Sequence, residues 1–279
     1  MKDKAIAGTN PRGDGVAGVI QTNIGNRLLQ ALSRADFALL APHLERVPFA
    51  VGDEIAATGE RIAWVHFPEA GIAGILDHTE GDRRLAIGLV GLEGMLGWPL
   101  VLGEERWPHD VAMRAEAGTA IRIAAPALAA ALDGSATLRR TLLRFAQVFG
   151  VQVGQSVCSA LIHPVDRRMA RWILLYHDRV EGDEICLTHE EFRLMLGVRR
   201  SSVTDALRKL EAERAVRGLR GRVVVRDRAR LLELAGGTYG APEAAYRRLI
   251  DGQLDGPDED AGMRDHRSSP LRMSGSPAP

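Results

Sequence analysis

The sequence predicts an α+β protein in which an antiparallel β-domain is followed by a long helix and then by a smaller helical domain with a β-hairpin. Three observations support this fold class. Short apolar runs separated by glycines fill the first half of the chain, a helical period spans residues 138–161, and two short helical segments precede a β-branched run. The 279 residues suffice for two compact cores.

The β-domain is predicted from its turn signals, which recur with no helical period between them. Its apolar runs are Phe49 to Val51, Ile62 to Phe67, Ile72 to Leu76, Leu85 to Leu89, Val111 to Met113 and Ala120 to Ile123. Two short helices capped at Ser33 and Asp36 precede these runs, between Asn26 and Leu44.

The long helix carries a narrow apolar stripe and would form a rod of roughly 36 Å. The stripe consists of Leu138, Leu142, Phe145, Phe149, Val153, Val157 and Leu161. One interpretation is an ordinary helix buried against the β-domain. We favour a coiled-coil-like dimer seam, since the stripe is narrow. The residues predicted at that seam are Leu142, Phe145, Phe149, Val153 and Val157.

These patterns divide the chain into five predicted segments. They are a flexible tail (1–24), a β-roll (25–135), a dimerisation helix (136–163), a helical domain with a hairpin (164–240) and a mostly flexible tail (241–279). The tails are predicted from their small and polar residues, which show no period.

Composition excludes several classes of protein. A hydrophobic fraction of 46% and a charged fraction of 26% are those of a soluble folded protein. No continuous apolar run approaches the ~20 residues of a membrane span, and residues 1–25 lack the apolar core of a secretory signal, so we expect a cytoplasmic protein without membrane contact. Cys158 and Cys186 are expected to be reduced thiols. Motifs of serine hydrolases, zinc proteases and phosphate-binding loops are missing, so no enzyme is predicted.

Positive charge is concentrated near the C-terminus, although the net charge of the whole chain is zero. Between Arg199 and Arg230 there are 11 lysines and arginines against 4 acidic residues, a local charge of +7. Such segregation is typical of a module that contacts phosphates, although a solvated helix face is the alternative.

A helix-turn-helix is predicted in the same region. Thr188 and Glu191 form a capping-box pattern, and the helix that they open stops at Gly197, which suits a tight turn. The Val198 side chain can fill the space between the two helices. The second helix begins at Arg199 with its apolar side on Val203, Ala206, Leu207 and Leu210.

A Gly-Arg-Gly turn and the run Val223 to Val225 then predict a hairpin, the wing of a winged helix. The side chains left free to contact DNA are Arg200, Ser201, Thr204, Asp205 and Arg208 on the second helix, with the cations Arg199, Arg220 and Arg222 on either side of them. A purely structural helical hairpin is the alternative, which the charge cluster makes less favourable.

From about Asn26 to Tyr239 the chain resembles the Crp/Fnr family of transcription factors. The resemblance lies in the glycine-punctuated β-roll with residues 91–97 (GLEGMLG), the long helix, residues 167–172 (RRMARW), and residues 187–200 from Leu187 to Arg200. It implies a cyclic-nucleotide-binding-like β-roll, a homodimer through the central helix, and a winged helix-turn-helix on a near-palindromic operator of double-stranded DNA. RNA polymerase is a further partner that the family implies.

The resemblance also assigns roles to single residues. Base-reading positions fall on Arg200, Ser201 and Asp205, and backbone-contacting positions on Thr188 and Ser202. Arg200 is suited to bidentate bonding with guanine. Ser201 stands where many relatives carry Glu.

The β-roll departs from relatives that bind cyclic nucleotides, which show Gly-Glu-Leu-Gly and then Arg-Ser/Thr-Ala. The positions of the predicted ligand pocket are Glu93, Gly94, Met95, Gly97, Pro108 and His109. A thioether and a proline ring cannot hold a ribose hydroxyl or a phosphate, so we expect no cyclic AMP or cyclic GMP. Glu93 is expected to be a surface carboxylate in a turn.

No cofactor and no metal are predicted, and the effector is unknown. The N-terminal cysteine cluster of the iron-sulfur sensors is missing from the sequence. His66, His78 and His109 could bind haem or a metal, but scattered histidines are more often polar surface residues. The alternative function is a β-roll that senses a ligand or docks a partner without sequence-specific DNA binding.

Overall fold

The computed structural model describes residues 19–79 and 83–253. Two short helices lead in, α1 (Arg27–Gln30) and α2 (Arg34–Leu40). They begin at side-chain caps, because Asn26 accepts from the Leu29 amide and Ser33 from the Asp36 amide. Residues 19–24 were predicted as tail, but Ile24 is buried and the Gln21 amide donates to the Leu32 carbonyl at 2.8 Å. The remainder of the predicted N-terminal tail lies outside the described residues.

The β-roll consists of seven antiparallel strands in two sheets. The strands are β1 (Glu45–Phe49), β2 (Glu54–Ala56), β3 (Trp64–Pro68), β4 (Ile72–Thr79), β5 (Arg83–Val90), β6 (Asp110–Arg114) and β7 (Gly118–Ala124). One sheet has the order β1-β7-β3 and the other the order β2-β6-β4-β5. Their facing sides share one apolar core, which includes Val65, Phe67, Ile75 and Ile121.

Helix α3 (Ala125–Gly134) leads into the long helix α4 (Ala136–Ile162). Glycines let α4 lie directly on the β-roll, because a Cβ at Gly88 would come within 2.7 Å of the Phe149 ring and one at Gly94 within 2.3 Å of the Phe145 ring. Gln152 fixes this contact, accepting from the Leu89 amide at 2.7 Å and donating to the Leu89 carbonyl at 3.2 Å.

This packing corrects the predicted dimer stripe. Leu142, Phe145 and Phe149 are buried in the core of their own β-roll, so burial against the β-domain is the right interpretation for them. Val153 is half-buried, and Val157 is 54% exposed. The error arose because five residues at helical spacing were predicted at one seam, whereas the first three are buried within the chain and Val153 packs partly against the same core.

The C-terminal domain contains four helices and a three-stranded sheet. The elements are α5 (Val165–His177), β8 (Glu184–Ile185), α6 (His189–Leu196), α7 (Arg200–Ala212), β9 (Val216–Leu219), β10 (Arg222–Val225) and α8 (Arg228–Ala235). The sheet has the order β8-β10-β9, with all pairs antiparallel.

The chain continues in helix α9 (Ala241–Leu249), within the segment predicted as a mostly flexible tail. Ala245, Tyr246 and Ile250 are buried in the β-roll core cluster, next to α4. Pro242 in the first turn and apolar residues three to five positions apart were the available signals for this helix. The rest of the predicted C-terminal tail, from residue 254, lies outside the described residues.

The β-roll and the C-terminal domain share a second apolar core. Ile72, Leu76, Ala86, Leu89 and Ala112 on the outer face of the sheet pack in one cluster with α5, α6 and α7.

Arg114 on β6 and Glu191 on α6 join the same two domains by an ion pair at 3.2 Å. The predicted capping box is therefore only half formed. The Thr188 hydroxyl accepts from the Glu191 amide, but the Glu191 carboxylate turns to Arg114. Burial is the main cause that raises the pKa of Glu191, against the nearby Arg114 charge.

Helix α4 is long and apolar enough to cross a membrane by length and composition, which the search for continuous apolar runs did not anticipate. It is the one such helix in the part of the chain that the structure describes. A core helix of a soluble protein satisfies the same criteria. Because Gln147, Gln152 and Gln155 interrupt its apolar surface, we do not interpret it as a membrane span.

Candidate nucleic-acid interface

The helix-turn-helix is built from α6, a glycine turn and α7. Gly197 adopts the left-handed conformation that the sequence predicted, with φ of 65°. The end of α6 is held by the Arg168 guanidinium, which donates to the Leu196 carbonyl at 2.6 Å. The two helices therefore meet at a fixed turn.

Helix α7 is seated by one apolar side. Val203, Ala206 and Leu210 are buried as predicted, while Leu207 is only half-buried. They pack in the same cluster as Phe192 and Met195 of α6 and the apolar side of α5. The opposite side of α7 consequently faces solvent.

That exposed side carries the residues predicted to read bases. The exposed residues are Arg199, Arg200, Ser201, Asp205 and Arg208. Arg200, Thr204 and Arg208 lie on successive turns of one face of the helix. Ser202 and Thr204 are half-buried, and the Thr204 hydroxyl donates to the Arg200 carbonyl at 3.2 Å. The structure therefore brings together the residues predicted on the second helix.

Most of the cations in this region have no acidic partner among residues 19–79 and 83–253. Within the described residues, seven of the eleven lysines and arginines between Arg199 and Arg230 make no salt bridge: Arg199, Arg200, Arg208, Arg214, Arg217, Arg220 and Arg226. The other four are held by Asp166, Glu184, Asp178 and the pair Glu213 and Glu233. Unpaired guanidinium groups can meet phosphates without first breaking a salt bridge.

The predicted wing is a hairpin of β9 and β10 that turns at Gly221, with φ of 74°. Arg220 is exposed at the tip. Arg222 forms a salt bridge to Glu184 of β8, a partner that was not foreseen. The charge of Arg222 is therefore partly offset, and Arg220 is the better candidate for a phosphate contact. Thr188 is exposed, although its hydroxyl already caps α6.

The residues of the predicted ligand pocket do not converge. Met95 is fully buried in the β-roll core, and Pro108 is exposed on the segment before β6. Gly94 lies under the Phe145 ring, and a Cβ at Gly97 would meet Val65 at 2.9 Å. His109 has its Nδ1 at 3.9 Å from Asp77.

Glu93 lies in a turn, as predicted, but its carboxylate is not on the surface, because it pairs with the buried Arg179 at 2.7 Å. Arg179 also donates to the Leu175 carbonyl at 2.6 Å. Burial has the largest single effect on the pKa of the Arg179 guanidinium and lowers it. The charge of Glu93 and its hydrogen bond act in the opposite direction, and the pKa is raised. The motif carboxylate therefore joins the β-roll to the end of α5.

The three histidines considered as haem or metal ligands lie on β3 (His66), on β4 (His78) and directly before β6 (His109). Among residues 19–79 and 83–253 no group of three or more histidines, cysteines or acidic residues could hold a metal. His66 is buried rather than a surface residue, and burial, reinforced by the Arg122 charge, lowers its pKa to about 4. His78 lies 2.6 Å from Asp110.

Comparison with known families identifies the C-terminal domain. Residues 167–234 match the family model described as the Crp-like helix-turn-helix domain, about a quarter of the chain. No curated protein sequence matches the chain closely enough to count as a relative.

Solved structures resemble most of the chain. FixK2 from Bradyrhizobium japonicum has a TM-score of 0.61 at 16% identity, covering 70% of this chain and 98% of its own. A CRP-family transcriptional regulator from Thermus thermophilus has a TM-score of 0.59 at 19% identity, covering 70% and 99%. The regulator CLP of Xanthomonas campestris, described as responsive to c-di-GMP, has a TM-score of 0.54 at 16% identity, covering 69% and 99%.

These comparisons confirm three predictions. The fold class is confirmed, because the match to regulators of this architecture extends over the β-roll and the long helix. The resemblance to the Crp/Fnr family is confirmed, and the helix-turn-helix match supports the prediction of a DNA-binding transcriptional regulator.

Proposed function

Because residues 167–234 form a Crp-like helix-turn-helix domain, we propose that the chain acts as a homodimer that binds a near-palindromic operator in double-stranded DNA. The observation that carries this proposal is the exposed face of α7, where Arg199, Arg200 and Arg208 have no salt-bridge partner in the described part of the chain. Arg200 reads a guanine edge, Ser201 and Asp205 lie beside it, and Thr188 and Ser202 contact the backbone.

The dimer forms through the exposed side of α4, which keeps Val157 and Leu161 of the stripe predicted from sequence but not its buried residues. Exposed residues recur there at intervals of three and four: Leu143, Gln147, Gly150, Gly154, Val157 and Leu161. Leu161 is 80% exposed, and an added Cβ at Gly150 or Gly154 would meet nothing within 4 Å. Between Gln147 and Ile162 the helix carries no charged residue. A second copy of α4 would cover this uncharged stripe, in a seam of coiled-coil type.

The signal is a ligand or partner other than cyclic AMP or cyclic GMP. Support comes from Met95, which fills the core where a ribose-binding carboxylate is needed, and from Pro108, which is exposed where an arginine would neutralise the phosphate. A cytoplasmic regulator of this kind would act on transcription with RNA polymerase as a further partner.

The operator can be obtained by selecting bound sequences from random DNA with the full chain. On that operator Arg200→Ala should lose discrimination at one base pair by about 10- to 100-fold, because a bidentate guanine contact is worth ~1–3 kcal/mol. Electrophoretic shifts of matched and mismatched duplexes measure this ratio.

Lys209→Ala is the matched control on the same helix, since Lys209 is held by Asp166 at 3.2 Å and should leave the discrimination ratio unchanged. If wild-type protein bound all duplexes equally at two salt concentrations, sequence-specific recognition by α7 would be disproved. A monomeric protein on the selected operator would disprove the dimer.

A further inference from the structure

A cavity of about 360 Å³ lies where the β-roll, α4, the end of α5 and α9 meet. Of the predicted pocket residues it includes only Glu93, so it is distinct from the ribose and phosphate positions of the motif. Its volume is near the lower end of the range for small-molecule sites. A molecule bound there would contact both domains at once.

The walls of the cavity are mainly apolar. Leu89 contributes from β5, and Phe145, Val148 and Phe149 contribute from α4. All four side chains are almost fully buried. Their two phenyl rings and aliphatic groups suit an apolar body about the size of one or two fused aromatic rings.

Arg27, Arg247 and Asp251 line the cavity at exposed positions, and most of its other polar groups already have partners among the described residues. Gln152 is satisfied by the backbone of Leu89, and Arg179 is paired with Glu93. Asp178 accepts from the Tyr239 hydroxyl and from Arg228, both at 2.6 Å. Because the charges of Glu93, Asp178 and Arg179 are compensated, a charged guest would have to give up its water in a half-buried site, at a cost that one added ion pair does not recover.

Two groups on α9 are exceptions. The Glu243 Oε2 atom and the Tyr246 hydroxyl are buried and have no hydrogen-bond partner within the described residues. Both residues line the cavity, and their spacing of three places them on one face of α9. Tyr246 is only 9% exposed, so its unpaired hydroxyl carries a desolvation cost that a ligand could remove.

We propose that this cavity binds a small uncharged organic molecule with an aromatic-sized apolar body and one hydroxyl group. The hydroxyl donates to Glu243 Oε2 and accepts from the Tyr246 hydroxyl, while the body lies between Phe145, Val148 and Phe149. A regulatory role for the bound molecule rests on the proposed function, but binding of the molecule itself does not require DNA.

Three matched probes test the proposal on the full chain without DNA: 1-naphthaleneethanol, 1-naphthaleneethylamine and 1-naphthaleneacetate. They share the ring and differ in a hydroxyl, an ammonium and a carboxylate. Titration calorimetry should give the alcohol at least a fivefold tighter Kd than either charged probe. Equal affinities for the three probes, or no binding of the alcohol, would overturn the proposal, whatever the protein does with an operator.

Tyr246→Phe keeps the ring and removes only the unpaired hydroxyl, so the variant should fold with an unchanged or higher Tm. It should weaken binding of the alcohol about fivefold, the value of one hydrogen bond near 1 kcal/mol. Tyr176→Phe is the matched control, because Tyr176 is buried but does not line the cavity. Identical losses in both variants would contradict the site, and so would alcohol binding that appears only after residues 254–279 are deleted, since the tail would then be the occupant.

Discussion

In the DNA-binding domain a glycine turn leaves charged side chains in solvent, whereas in the β-roll the glycine turn is closed over by a helix. Gly197 lets α7 present Arg200 on an exposed face. Gly94 lets the Phe145 ring pack directly on the backbone, and the adjacent Met95 fills the core. The same kind of backbone motif thus supports a binding surface in one domain and solid packing in the other. Backbone geometry establishes the fold, and the side chains on it determine what can bind.

The largest effect is expected where the Phe145 ring packs against the backbone of the β-roll turn at Gly94. Gly94→Ala would place a Cβ 2.3 Å from the Phe145 ring, so α4 must shift or the ring must leave its position. We expect a loss of about 3 kcal/mol in the free energy of unfolding, measured by urea denaturation. Gly134→Ala is the control, since a Cβ there meets nothing within 4 Å. Equal stability of the two variants would mean that the turn retains open space.

The first half of α4 is buried against the β-roll, whereas the second half exposes Val157 and Leu161 and carries the proposed dimer seam. Val157→Glu places like charges face to face across the proposed seam and should weaken the dimer at least about 100-fold, with the monomer still folded. Analytical ultracentrifugation measures the dimer Kd. Val51→Glu is the matched control, because Val51 is 57% exposed against 54% for Val157 but lies on the β-roll surface. A stable Val157→Glu dimer would place the interface elsewhere.

Acid should destabilise the protein through His66, which lies in the β-roll. Burial lowers its pKa in the folded protein to about 4, against about 6.5 in the unfolded chain, so on acidification the unfolded state takes up the proton first. The stabilising contribution of neutral His66 is complete above pH 6.5 and is lost as the pH falls toward 4. At pH 5 the loss should be about 2 kcal/mol.

His66→Phe keeps a ring beside Phe49 and removes the titration. Urea midpoints at pH 7.5 and pH 5.0 should therefore differ less for this variant than for the wild type. The same pH dependence in both proteins would show that other groups control acid unfolding.

The smallest expected effect concerns the wing. Arg220→Ala removes an exposed cation without a salt-bridge partner in the described regions. It should weaken binding to all DNA sequences by roughly fivefold, and the slope of log K against log salt concentration should become less steep by about one. Fluorescence anisotropy at several salt concentrations measures both quantities. Arg230→Ala should change neither, because Glu213 and Glu233 already hold that charge. A change confined to the selected operator would instead assign Arg220 to base reading.

The helix-turn-helix could be predicted because its determinants are local. The cap at Thr188, the turn at Gly197 and the apolar side of α7 all lie within one short stretch, and each depends on neighbours a few residues away. The long helix was predictable for the same reason, but its partner was not. Leu142 and Val157 share one spacing pattern, and only the three-dimensional path of α4 separates the buried residue from the exposed one.

The errors concern contacts between distant parts of the chain. Glu191 met the sequence rule for a capping box, yet its partner is Arg114, 77 positions earlier. Glu93 was expected on the surface, yet it pairs with Arg179, 86 positions later. Helix α9 was assigned to a tail because its stability comes from packing on α4 rather than from a long periodic pattern.

The apolar layer between the β-sheet and the helix-turn-helix affects how the molecule can be divided. Leu76, Ala86 and Ala112 supply part of the interior in which α5, α6 and α7 are seated, so cutting the chain before α5 would expose that interior to water. A separately expressed C-terminal fragment should therefore aggregate or bind DNA weakly. In the intact protein, heating should give one cooperative transition rather than two, and a signal that reorients α7 must first separate this layer.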